Sequence, residues 1–429
     1  MSVMHVSHTF HQSGHGTFFT GALMSGHFGS TFPGYTWVYD CGSKRSSHLK
    51  TIVNNMAVTF PKSWKSHIDM LAISHFDDDH TNGLEELLSK HTVGRLTIPY
   101  ASFERRLATA LSLDGEKLLS RDTALFALDP VTYLVSKGLG ERVQEIVLVT
   151  GNADSEDDGL DEFFPSDQRG PETEEGFVWR EIPAYENESE NFASGDGYNI
   201  LGRAANLQVS TTSHDSPFVP NGYPWEFFFF NSAPSTCAAR SSAKIKAAIA
   251  DAKDVIREMA LLGGTRAIKP KWRDKLKKVY IRHFGHSSKS RNNISLCVLS
   301  APTKRVIVES CAAFDRGHSL GYVSPNPIKK GLLLCGDLTI DSSMLRCMER
   351  HFTPQRWGDI DVMQIPHHGS KNSWELGNMA LCAHRHSVLC VPDSSSMHPH
   401  KTVLNDLKGS HTHRADYKNF VQETFHFNI

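Results

Sequence analysis

LAISHFDDDHTNGL, residues 71–84, runs from an apolar strand into a dense cluster of histidine and aspartate just before a helical pattern begins. A strand end projects such side chains into a common space. His75 and Asp77 are two positions apart and Asp79 and His80 are adjacent, so a tight turn can aim one pair at one cation and the other pair at a second. Imidazole suits Zn, Mn or Fe, and the added carboxylates shift preference toward harder divalent ions. The plainer reading is a helix N-cap with polar turn residues around it. Against that, Asp77, Asp78 and Asp79 side by side repel one another unless a cation lies among them.

Working outward, the first eighty residues read as short strands separated by Gly, Ser and Pro: SVMHVSHT, GTFFTGAL, TWVYDCGS and IDMLAISH. TNGLEELLSK and ASFERRLATALSL then take helical spacing. Between about 100 and 290, helix-like runs (SSAKIKAAIADAKDVIREMALL, KWRDKLKKVYIRHF) mix with an acidic stretch and the apolar run EFFFFN, which reads as a core strand or a pocket wall. Strand patterns resume with NISLCVLS, KRVIVES and GLLLCGDLTI, followed by an amphipathic helix SSMLRCMERHF, then DIDVMQIPHHGS and HSVLCVPDSS, and a closing HPHKTVLNDL. Metal-type residues at strand ends predict two packed sheets with helices outside.

H-F-D-D-D-H resembles the H-x-[HD]-x-D-H signature of metallo-β-lactamase-fold hydrolases, and its third-position Asp resembles the variant in the hydrolase domain of ComEC-type DNA-uptake proteins. NNISLCVLS, GLLLCGD, IPHHGSKNS, HPHKTVLNDL and the opening GHGTFFT…WVYDCGS are similar to further segments of that domain, in the same order. The resemblance implies an α/β protein with the metallo-β-lactamase αββα sandwich. Residues 1–100 and 291–429 would be its two halves, and 101–290 a large mixed, mainly helical insertion holding an acidic loop at 152–190 and a basic helical stretch at 240–282.

The same resemblance implies that His75 and Asp77 ligate one metal, Asp79 and His80 the other, and that Asp337 bridges both. One of His367 and His368 completes a metal site, His367 being favoured, with His368 and Asp79 as catalytic candidates. Asp40 would orient the metal loop from behind. Ser370, His398 and His400 are candidates for substrate contact or outer support, though either of the last two reads equally as a surface residue at a helix start. Many relatives carry a further His before the bridging Asp; here His286, Asn292 or Asn293 is the candidate for that role. Two divalent ions, Zn or Mn, are the implied cofactors, since such a pair can hold hydroxide at neutral pH and neutralise a phosphoryl oxygen.

Composition adds boundaries. The chain has 429 residues, 39% hydrophobic and 21% charged, with a net charge of -2, which describes an ordinary globular protein with no global pull toward nucleic acid or membrane. Nothing approaches the roughly eighteen apolar residues a membrane span needs, and the first twenty lack a secretory pattern, so a cytoplasmic location is expected. The eight cysteines contain no C-x-x-C pair and read as reduced core thiols. Residues 240–282 hold thirteen Lys or Arg, which reads as a solvated face or as a platform for a phosphate-bearing substrate. The chain has neither G-x-S-x-G nor a Walker-type loop, and the two-metal site that the resemblance implies makes metal-dependent phosphodiester hydrolysis, of DNA or RNA, the expected activity. The alternatives are a small-molecule hydrolase (cyclic nucleotide, phosphoester or lactone) with the insertion as a lid, and a non-catalytic interaction module.

Overall fold

The computed structural model describes residues 3–27, 30–59, 66–112, 118–151, 197–202, 207–232, 243–261, 271–284, 294–304, 306, 308–315, 318–322, 330–382 and 384–428. The acidic stretch 152–190 and the candidates His286, Asn292 and Asn293 lie outside the described residues.

The protein is α/β, built on two mixed sheets. The larger has ten strands. In chain order these are β1 (Val3–Phe10), β2 (Phe18–His27), β3 (Ser30–Cys41), β4 (His67–Ala72), β5 (Thr92–Pro99), β6 (Val143–Thr150), β7 (Gln208–Ser213), β10 (Val308–Asp315), β11 (His318–Tyr322) and β16 (Val421–Asn428). Their spatial order is β11-β10-β16-β1-β2-β3-β4-β5-β6-β7. The smaller sheet holds β8 (Trp225–Asn231), β9 (Leu296–Pro302), β12 (Gly331–Leu334), β13 (Ile360–Gln364), β14 (His386–Cys390) and β15 (His411–Ala415), ordered β15-β14-β13-β12-β9-β8. Strands β3 to β7 are mutually parallel, as are β12 to β15.

Three apolar clusters define the layers. One joins residues from both sheets, among them Phe19, Trp37, Phe227, Val298, Leu334 and Phe425, and is the seam between them. A second lies on the outer face of the large sheet, under α1 (Ser46–Thr59), α3 (Leu84–Lys90), α4 (Phe103–Leu111), α5 (Arg121–Leu128), α6 (Pro130–Ser136), α7 (Ala243–Leu261) and α8 (Trp272–Phe284). The third lies on the outer face of the small sheet, under α9 (Ser342–Gly358). The layering is therefore helix, sheet, sheet, helix. EFFFFN is a core strand: Trp225, Phe227 and Phe229 face the seam, while Phe228 and Phe230 face α9. Both faces are covered, so the sequence shows no alternation.

The stretch 101–290 contributes strands as well as helices. β6 and β7 extend the large sheet and β8 closes the edge of the small one. All six described cysteines without a bridge are buried or half-buried, and burial pushes the Cys390 thiol up to about 12. Among the described residues, no helix is long and apolar enough to cross a membrane.

Candidate metal centre

Parallel strands gather loops at their carboxyl ends, where open α/β sheets hold their ligands. β4 runs into Ser74–His80 and its short helix α2 (Asp78–Thr81), β12 into Asp337, and β13 into His367 and His368. Gly336 (φ +56) allows the close approach of the first two loops: a Cβ there would lie 2.6 Å from that of Ser74. Gln364 ties the third in, its side-chain oxygen accepting from the Cys335 N–H at 3.2 Å and its amide donating to Thr17 Oγ1 at 2.9 Å.

The loops bring histidine nitrogens against carboxylates. His75 Nε2 lies 3.7 Å from Asp77 Oδ2 and 3.8 Å from Asp337 Oδ2. His80 Nε2 lies 3.2 Å from Asp337 Oδ1, His367 Nε2 lies 3.9 Å from Asp337 Oδ2, and His368 Nε2 lies 3.7 Å from Asp79 Oδ2. His75, His80 and Asp337 alone offer three donor atoms within 4.8 Å of one another. The two oxygens of Asp337 thus face different histidines.

The hydrogen bonds behind these rings fix which nitrogen is bare. Asp40, fully buried, accepts from the Ser74 N–H at 2.7 Å, from the Ser74 hydroxyl at 2.7 Å and from His80 Nδ1–H at 2.7 Å. The Ser74 hydroxyl has then spent its proton, so it accepts from His75 Nδ1–H at 2.8 Å. His368 Nδ1–H donates to the Cys390 carbonyl at 2.7 Å. In all three rings Nδ1 carries a proton, so in the neutral ring the lone pair is on Nε2; in His80, against burial, Asp337 and Asp40 favour the charged form and push the pKa well above 6.5. The three Nε2 atoms are buried and have no hydrogen-bond partner.

Backbone strain marks the same places. Asp40 (φ 53), His367 (φ 45) and His368 (φ 59) are three of the six described non-glycine residues in the left-handed region. Each such residue costs on the order of 1–3 kcal/mol and persists only where its surroundings dictate it. Electrostatics follows the geometry. Burial alone would raise the Asp337 pKa, but His80, His367 and His75 hold it well below the usual carboxylate range. Burial and His80 work to lower His75, yet Asp77 and Asp337 raise it overall.

No family model and no curated protein matches the chain. Among solved structures, the crystal structure of unliganded yeast PDE1 is similar at 9% identity, covering 98% of this chain and 99% of that one, with a TM-score of 0.33. A likeness this distant transfers neither fold nor activity.

The remaining candidates divide. The His398 ring lies 5.9 Å from His367 and 6.4 Å from His368, at the mouth of the cluster. His400 instead caps the helix α10 (Lys401–Asp406), accepting from the Thr402 N–H at 3.3 Å. Ser370 is a turn residue whose hydroxyl accepts from the Asn372 N–H at 3.2 Å and whose N–H donates to the His367 carbonyl at 2.9 Å. Sequence reading missed Ser74, Gln364, His15 and Lys44, and also a second cluster, His214, Asp215 and His351. The His214 and His351 rings lie 4.3 Å apart, each with a nitrogen 3.5 Å from Asp215 Oδ1. His351 Nε2–H donates to the Phe229 carbonyl at 2.7 Å, so its Nδ1 is bare. His214 differs: its Nδ1 accepts the Asn231 N–H at 3.2 Å, so its Nε2 carries the proton and points it at Asp215. That cluster thus offers a bare nitrogen on His351 alone, against three at the first.

Proposed function

We propose that this protein is a metal-dependent phosphodiesterase of the metallo-β-lactamase type. The observation that carries the reading is the set of three buried Nε2 atoms, on His75, His80 and His368, each turned toward a carboxylate and without a hydrogen-bond partner. Two acceptors facing each other in a buried site call for a cation.

Two ligand sets follow. His75, Asp77, His367 and one oxygen of Asp337 form the first; Asp79, His80, His368 and the other oxygen of Asp337 form the second. His368 thus takes the place first given to His367, and His367 supplies the further His that relatives carry elsewhere. Bound divalent ions would lower the pKa of a coordinated water and neutralise charge on a phosphoryl oxygen. Asp337 orients the two sets toward each other, and Asp40 locks both His75 and His80 in the ligating tautomer. The gathering of intact donors speaks against a purely non-catalytic interaction module.

Nucleic acid as substrate has partial support. Lys246 and Lys253 on α7 and Lys277 and Lys278 on α8 are exposed, as is Lys271 just before α8. Arg273, at the start of α8, donates to the Leu119 carbonyl, next to Ser120, whose N–H is held by Asp78 of the metal loop at 3.0 Å. Part of the charge is neutralised within the chain, however: Arg257 pairs with Asp254, Lys275 with Glu258, and Arg282 with Asp251. Salt dependence separates the substrates, because a phosphate track on these helices makes cleavage of an oligonucleotide fall steeply with ionic strength while a small diester is little affected. The function itself is tested by hydrolysis of a chromogenic phosphodiester after chelation and reloading with Mn or Zn. Reloaded wild type is expected to be active and Asp337→Ala inactive; equal rates in the two would reject the proposal.

A further inference from the structure

Beside the metal centre, the loop after β3 carries Lys44 and the loop before β2 carries His15, and a backbone hydrogen bond from Lys44 N–H to the His15 carbonyl at 2.8 Å locks the two together. The pair is built against the metal loop. Thr17 N–H reaches the Asp79 carbonyl at 3.3 Å, and a Cβ on Gly42 would lie 2.1 Å from the same carbonyl oxygen. The Lys44 ammonium lies 3.7 Å from Asp79 Oδ2 with its side chain 39% exposed. The His15 ring lies 5.4 Å from that of His368 and 6.4 Å from that of His398, with Nε2 3.4 Å from Ser395 Oγ. His398 presents a buried Nδ1 without a hydrogen-bond partner to the same mouth. Nitrogen from three separate loops therefore lines one side of the opening.

Resting on the metal-centre reading, we infer that Lys44, His15 and His398 form an oxyanion wall that holds a non-bridging phosphate oxygen of the substrate. The physical reason lies in Asp79. Its Oδ2 faces both Lys44 at 3.7 Å and His368 at 3.7 Å. When that carboxylate serves a divalent cation, the ammonium is left a few ångströms from a second positive centre, and two cations so placed repel unless an anion lies between them. A phosphate oxygen entering over the metals supplies that anion. Lys44 then meets it as a point charge on a flexible stem, with the imidazoles as directional partners.

The test is calorimetric titration of inorganic phosphate into metal-loaded protein, with metal content measured on the same samples. Lys44→Gln is expected to weaken phosphate binding about 10- to 100-fold, the range of a charged hydrogen bond. His15→Ala is expected to weaken it less, Lys44→Arg to restore most of it, and all three to keep wild-type metal content. Unchanged phosphate affinity in Lys44→Gln at wild-type metal content overturns the inference. If wild type takes up no metal, the metal-centre reading fails separately, and the wall is judged by phosphate binding alone: loss in Lys44→Gln supports it and equality overturns it. Parallel titrations with a mononucleotide and a single-stranded oligonucleotide show whether the phosphate belongs to a small molecule or a nucleic-acid backbone, and indifference of both to Lys44→Gln overturns the wall as well.

Discussion

Two clusters of histidine and aspartate sit at the carboxyl-end edge of the same parallel strands, one after β4 and the other after β7, three strands along. Both place imidazole nitrogens within 4 Å of a carboxylate. They differ in what stands behind the rings. At His75, His80 and His368 the acceptors Ser74 Oγ, Asp40 and the Cys390 carbonyl engage Nδ1–H, so in the neutral ring every Nε2 faces the carboxylates as a lone pair. At His214 a backbone N–H occupies Nδ1 instead, and the ring brings its own proton to Asp215. Proximity of donor atoms alone cannot separate the two; the outer hydrogen bonds do, because they set the tautomer.

The contrast is open to direct attack. Metal-linked stability separates the clusters most sharply: divalent metal at about 100 times its Kd adds about 2.7 kcal/mol to unfolding. That increment should vanish in Asp337→Ala and persist in His351→Ala, read from chemical denaturation with and without metal; the reverse pattern would exchange the roles of the clusters. In metal-free protein, His351→Ala should itself cost about 2–4 kcal/mol, since the ring is buried between α9 and β8 against Phe228 and Phe230. Asp40→Asn should leave the fold in place and weaken metal affinity about 10- to 100-fold, the usual effect of losing a partner behind a ligand. Competition with a chelator reads this, and unchanged affinity would show that Asp40 does not set the tautomers.

A further effect is on acid stability. Burial pushes the His214 and His351 pKa values well below the ordinary 6.5, and His11 is likewise pushed down, to about 3. These rings stay neutral in the native state while the unfolded chain takes up protons below pH 6.5. Stability is therefore complete above that value and falls as pH drops below it, by about 1.4 kcal/mol per unit for each such ring. His351→Ala should show a shallower decline between pH 6.5 and 4 than wild type in denaturant titrations.

The residues of LAISHFDDDHTNGL were legible because chemistry and spacing are local: a strand end, a tight turn and adjacent donors. GLLLCGD and IPHHGS were legible for the same reason. What stayed hidden depends on register. Val38 pairs with Leu71 and Tyr39 with Ala72, so Asp40, which the resemblance singled out, falls beside Ser74, which nothing in the sequence marks. Gln364 acts only because β13 lies next to β12. β6 and β7 were lost among helices because their strand character comes from a parallel sheet built by distant segments. His15 and Lys44 meet through a backbone bond between two loops, and His214 meets His351 across two sheet layers; no spacing rule reaches either pair.

The central claim is that bare imidazole nitrogens and carboxylates around Asp337 hold divalent metal. Mass-spectrometric metal counting on chelator-stripped protein reloaded with excess Mn or Zn tests it most directly. Wild type is predicted to retain about two ions per chain after desalting, and Asp337→Ala to retain few or none. Wild type that stays empty, or an Asp337→Ala protein that fills equally well, would contradict the account.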